Sequence, residues 1–200
     1  KNLYPYGHPY SWLTIGYIED LNRVEVNDLK NFFLRWYGPN NATLTVGGDV
    51  NPADVIKLAE KYFGAIPAGP EVKNMKLPAP VLEKDRYVTL VDNYAKLPQL
   101  TITYPTVPSY HPDEAPLACL SQVKKKKKNS VFYQEITKGQ KALNVSAFNR
   151  GSELSGEFSI SISPVPGTSL ADSKKLVDEA IKVFELRGVT DEDIEKFRGG

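Results

Sequence analysis

Prolines set the tightest limit on what this chain can fold into. Pro67, Pro70, Pro78 and Pro80, with Gly69 among them, fall within fourteen residues that carry neither helical nor strand periodicity. A proline has no N–H to give to a helix interior or a central strand, and its fixed φ holds the chain extended. Residues 69–83 therefore read as a semi-rigid linker that no single element can cross. The apolar pattern stops before this stretch and restarts after it, so two lobes are expected, 1–68 and 84–200.

On the N-terminal side, Leu29, Phe32, Phe33 and Trp36 recur at helical spacing, and Gly38-Pro39 ends that helix. Ala42 to Val46 alternates like a short strand. Asn51-Pro52 is a helix start, a capping side chain followed by a proline whose missing N–H costs nothing there. The helix that follows sets Val55, Ile56, Ala59, Tyr62 and Phe63 to pack, and Gly64 closes it. Residues 1–20 are dense in Tyr, Pro and Gly and read as an ordered, packed loop.

Beyond the linker, 86–92 and 99–104 read as strands, 113–123 and 130–138 as helices, and 142–149 with 157–163 as an antiparallel pair. Ser169 caps a long helix that Gly188 ends. Thr190 followed by three acids opens another, with the charges placed to suit the helix dipole. The predicted class is α+β: a two-layer arrangement, an antiparallel sheet with helices on one face.

Composition removes several functions. Lys and Arg number 25 against 24 acids, so net charge favours neither nucleic acid nor an anionic membrane. No apolar run approaches the ~20 residues that span a bilayer. The single cysteine, Cys119, excludes an internal disulfide and sits among Ala115, Leu117, Ala118 and Leu120 as a packing thiol. Lys124–Lys128 reads as a solvated loop. The alternative, an anion or nucleic-acid patch, lacks interleaved arginines or aromatics.

Catalytic constellations are missing from the letters. Zinc hydrolysis needs two closely spaced histidines, a third ligand and a carboxylate base. His8 and His111 are the only histidines, and each precedes a proline with no second histidine nearby. There is no G-x-S-x-G. Gly47-Gly48-Asp49 lies between a strand and a helix but is not a phosphate-binding glycine pattern, and reads as a structural turn. No catalytic, cofactor-binding or metal residue is assigned.

One collinear set of short motifs remains: His8-Pro9-Tyr10, Gly16, Asp20-Leu21, Asp28-Leu29, Phe33, Tyr37, Pro39, Asn41, Gly48-Asp49, Tyr62-Phe63 and Ile66-Pro67. Pro98-Gln99-Leu100, Tyr104-Pro105, His111-Pro112-Asp113, Asn129 to Tyr133 and Gly188-Val189-Thr190 continue it. Together these resemble the insulinase family of zinc metallopeptidases, which includes pitrilysin and the mitochondrial processing peptidases. The resemblance implies repeated α+β units, the first bearing an inverted zinc motif and the second lacking it. This chain would hold the end of a first unit (1–68), the Pro-rich linker (69–83) and the start of a second, non-zinc-binding unit (84–200). Both termini then read as cut ends of a longer polypeptide, with the zinc ligands and the base glutamate before Lys1.

The resemblance also implies an Arg and, seven residues later, a Tyr that contact substrate. Those positions fall on Ile136 and Leu143, neither of which can donate a hydrogen bond. Such a loss fits the zinc-bearing half of a paired enzyme, whose companion supplies the Arg/Tyr pair; a scaffold half that has lost both functions is the alternative. The family commonly has a glycine-rich loop where this chain has Lys124–Lys128, and lysine does not ease a tight turn. The implied function is the non-catalytic portion of a peptide-degrading or peptide-processing zinc peptidase, forming chamber wall and interface. Its expected partners are a companion half or subunit and, in the intact parent, a peptide, with no nucleic acid. Zinc is expected in the parent and none in this fragment. A bacterial source is implied, in periplasm or cytoplasm. The competing class is an assembly subunit of the same fold without protease activity.

Overall fold

Caps and stops place the helices. The computed structural model describes residues 2–75, 77–78, 80–123 and 130–198. In it α1 spans Ile18–Leu21, α2 Val26–Trp36 and α3 Pro52–Phe63. The Glu25 N–H donates to Asp28 Oδ2 at 2.9 Å at the start of α2. At the start of α3 the Asn51 side chain accepts the Ala53 N–H at 2.9 Å, the capping bond that the sequence requires. Further on, β1 is Leu100–Thr106, α4 Glu114–Val123, β2 Ala142–Gly151, β3 Gly156–Pro164, α5 Leu170–Arg187 and α6 Asp191–Arg198. Ser169 Oγ accepts the Asp172 N–H at 3.0 Å, and Gly188, at φ +72°, turns the chain out of α5. Thr190 and Asp193 cap α6 reciprocally, side chain to backbone in both directions.

Packing divides the chain into two compact units, Trp12–Lys76, and Lys1–Ser11 with Leu77–Gly200. The division at 76/77 lies inside the Pro-rich segment. Residues 1–11 do not group with 12–68. Tyr4, His8 and Ser11 are buried, and Tyr10 Oη accepts the Leu154 N–H at 3.1 Å, which ties this segment to the β2–β3 turn.

The larger unit holds a three-stranded antiparallel sheet in the order β1-β3-β2. Because side chains alternate across a strand, Phe158, Ile160 and Ile162 of β3 share one face with Ile102, Leu100, Val145 and Ala147. That face is the core. Phe132, Ile136, Val177 and Ala180 close over it, with Leu117 and Leu120 of α4 packed alongside. The opposite face carries Thr101, Thr103, Ser146, Ser159 and Ser161. Cross-strand hydroxyl contacts run there from Thr101 to Ser161 at 3.1 Å and from Thr103 to Ser159 at 3.0 Å.

Three expectations change. The segments 42–46 and 86–92 form no strand among the described residues, because a strand needs a neighbour that periodicity cannot supply. The predicted helix at 130–138 is mostly a π-helical turn, Tyr133–Thr137, whose widened bonds run from Lys138 N–H to Tyr133 O and from Lys141 N–H to Ile136 O. The apolar faces of α2 and α3 do not enter a core: neither helix has a buried residue. Lys124–Lys128 lies outside the described residues.

Candidate functional site

The two positions that the resemblance singles out have different settings. Ile136 is fully buried in the main cluster beside Phe132. Leu143 sits where the β2–β3 register slips between Ala142 and Asn144, so it is the extra residue of a β-bulge. A bulge re-aims its side chain; Leu143 is 50% exposed, whereas Ala142 and Val145 on either side are buried. Neither side chain carries a hydrogen-bond donor, and of the two only Leu143 reaches the surface.

The histidines are both engaged structurally. His8 stacks on Tyr4, with ring centroids 4.6 Å apart and planes at 21°, and Tyr10 closes the cluster at 5.2 Å. Its Nδ1 accepts the Tyr10 N–H at 3.1 Å, which leaves Nε2 buried and without a partner. Burial pushes the Tyr4 phenol above its ordinary pKa, partly offset by a hydrogen bond with Ser155. This nest is the feature that sequence reading located least well. The density of Tyr and Pro before residue 11 signalled packing, but nothing signalled the turn at 154–155 as the partner. His111 Nδ1 accepts the Asp113 N–H at 3.2 Å in the turn just ahead of α4. Among the described residues no group of three or more His, Cys, Asp or Glu comes together. With both Nδ1 atoms occupied and His8 Nε2 enclosed by rings, these residues do not fit a zinc ion.

The run from Tyr37 to Pro52 has a structural explanation. Asn41 Nδ2 donates to the Trp36 carbonyl at 2.8 Å and so finishes α2. Asn40 Oδ1 accepts the Gly69 N–H at 2.7 Å, while its Nδ2 donates to the Pro70 carbonyl at 3.3 Å. A planar amide can do both at once, as a strand's peptide group would. Gly38 permits the approach, because a Cβ there would stand 2.8 Å from Gly69 N. Gly48, at φ +132°, turns the chain between 42–46 and Asn51.

An open crevice of about 360 Å³ lies beside the start of α5, lined by Lys141, Val165, Thr168, Asp172, Lys175, Leu176 and Glu179. Its charges are mixed. The Ser169 hydroxyl and then the Lys175 ammonium hold the Asp172 carboxyl below its ordinary range. Tyr104, on β1, is raised by burial and by Asp178. No nucleophile–base pair emerges from these contacts.

A three-stranded antiparallel sheet covered by helices defines an α+β domain. Comparison with known proteins gives that class its family. The profile described as Peptidase M16 inactive domain matches residues 23–199, and the chain belongs to that family. The zinc protease PqqE of Helicobacter pylori is 26% identical over 183 residues, covering 89% of this chain and 40% of that protein. The beta subunit of the mitochondrial-processing peptidase of Caenorhabditis elegans is 35% identical over 63 residues, 32% of this chain and 14% of that one. Among solved structures, a peptidase M16 inactive domain from Pseudomonas fluorescens superposes with a TM-score of 0.77 at 18% identity, covering 98% of this chain and 47% of that one. The first half of the periplasmic protease PqqL from Escherichia coli gives 0.71 at 18% identity, over 92% and 40%. These likenesses fix the fold. The chain spans less than half the length of these relatives.

Proposed function

We propose that this chain is the non-catalytic portion of a zinc peptidase that degrades or processes peptides. It supplies wall and interface, while polypeptide outside these 200 residues supplies the metal and the carboxylate that activates water. The family match over residues 23–199 carries this reading. In this reading residues 12–68 close a first peptidase-like unit, and 84–198 open a second that binds no zinc.

The apolar pair Ile136 and Leu143 supports a division of labour in which a companion half carries the Arg and Tyr that touch substrate. A fully buried isoleucine and a half-exposed leucine on a bulge cannot hold a peptide carbonyl by a side-chain hydrogen bond.

The test has two arms. The 200-residue chain, analysed for metal and assayed on a peptide mixture, is expected to retain no stoichiometric zinc and to cleave nothing. The same chain joined to the coding sequence that precedes it is expected to hold one zinc and to hydrolyse peptides until a chelator removes the metal. Tight one-to-one zinc in the short chain, or a metal-free and inactive long one, overturns the proposal.

A further inference from the structure

His8 is held at every polar atom except one. Its N–H donates to the Pro5 carbonyl at 3.1 Å, across a turn in which Gly7 takes φ +90°. Its carbonyl accepts the Ser11 N–H at 2.8 Å and the Ser11 hydroxyl at 2.7 Å. Its Nδ1 accepts the Tyr10 N–H at 3.1 Å. A neutral imidazole that accepts at Nδ1 carries its proton on Nε2. That Nε2–H is buried, and no group among the described residues accepts it.

A donor shut away without an acceptor bears its full desolvation penalty. Thr137 Oγ1 and Asn144 Oδ1 are also unpaired, but those residues are only half-buried and keep a path to water. His8 has none. It is 6% exposed, and its ring is fixed by the stacked Tyr4 and by the bond at Nδ1. An enclosed water needs about three polar partners. The Tyr10 N–H, the Ser11 hydroxyl and Tyr10 Oη beside it are already engaged.

We infer that the nest around His8 is a contact point for the polypeptide joined ahead of Lys1, which lays a backbone carbonyl on His8 Nε2. Tyr4, the other buried ring of the nest, is three positions after Lys1. The chain ahead of Lys1 therefore begins no more than about 14 Å from it. An acceptor arriving from solvent cannot reach a closed atom, whereas one on the same strap of chain folds in together with Tyr4. The ring-lined setting favours a carbonyl over a carboxylate, which would give up its hydration there. The nest is anchored to the sheet unit through Tyr10 Oη, which accepts the Leu154 N–H, and through Tyr4, which hydrogen-bonds Ser155. The contact thus ties the incoming polypeptide to the β2–β3 turn. The inference rests on the proposed function for the identity of that polypeptide.

Nuclear magnetic resonance of isotope-labelled histidine nitrogens decides it, in the chain joined to its preceding coding sequence. The His8 signal is assigned by its loss in His8→Asn. Its Nε2 proton should exchange about 100-fold more slowly than in the 200-residue chain, and should show a nuclear Overhauser contact to a residue ahead of Lys1. Asparagine keeps an acceptor where Nδ1 stands and removes the Nε2 donor. His8→Asn should therefore lower the melting temperature of the long protein by about 2–4 °C more than that of the short one. An equal loss in both would overturn the contact. If the long variant fails to fold, the wild-type signal still decides. Fast Nε2–H exchange in a long protein that holds zinc and cleaves peptides would overturn the contact and leave the peptidase reading intact. A protected Nε2–H touching a residue ahead of Lys1, in a long protein without zinc or hydrolysis, would support the contact and sink the peptidase. Equal protection in both chains would overturn the inference, because the acceptor would then be an enclosed water or a group within these 200 residues.

Discussion

The two units of this chain use similar local grammar to different ends. In Trp12–Lys76, α2 and α3 are strongly amphipathic and bury no residue. In the other unit α5 is less amphipathic, yet Ser173, Val177 and Ala180 are buried against the sheet. Amphipathicity records that a helix has an apolar face. It does not record that the partner lies within the same 200 residues. The sheet unit brings its own partner, since β1, β2 and β3 are hydrogen-bonded neighbours with one apolar side.

The largest test of this contrast is truncation inside the sheet unit. Phe132→Ala removes a fully buried ring and should cost about 3–5 kcal/mol, read by urea unfolding with far-ultraviolet circular dichroism. Next come the caps, one in each unit. Ser169→Ala and Asn51→Ala should each cost about 1 kcal/mol of helix stability, because each removes an acceptor from an orphan N–H. Both tryptophans, Trp12 and Trp36, lie in the smaller unit, so their emission reports Asn51→Ala without interference from the sheet.

A smaller effect is expected from Phe33→Ala. Its ring is 51% exposed, so the change should stay within about 0.5–1 kcal/mol. A cost equal to that of Phe132→Ala would break the contrast, because it would mean that the α2 face is already covered.

The smallest effect is a titration. Asp172 is held below its ordinary value of 3.8 by the Ser169 hydroxyl and then by Lys175. A depressed carboxyl takes up its proton more readily in the unfolded chain. Its contribution is therefore present above about pH 4 and is lost as pH falls through the lower folded value. Ser169→Ala should flatten this part of the acid limb in a pH series of melting curves.

Much of this was legible in the letters, and the division has a physical basis. Asn51, Ser169, Thr190 and Gly188 act on backbone groups within four residues of themselves, so their roles could be read directly. The hairpin of β2 and β3 was legible because its turn is short. Pairing across long stretches was not. Residues 42–46 and 86–92 have the strand pattern without a ladder, and residues 1–11 pack on a turn some 144 positions away. The candidate positions were located by resemblance alone. No local pattern marks Leu143 as a bulge, since a register slip is a property of two strands together.

The bridge made by Asn40 limits what can replace it. One side chain both receives the Gly69 N–H and gives to the Pro70 carbonyl, so it serves as a spliced-in fragment of main chain between the end of a helix and the entry to the proline-rich stretch. Aspartate at that place keeps the acceptor but loses the donor, and glutamine has both but reaches a methylene too far. The splice tolerates variation in the stretch that it holds, because it recognises only the backbone there, and almost none in the residue that makes it.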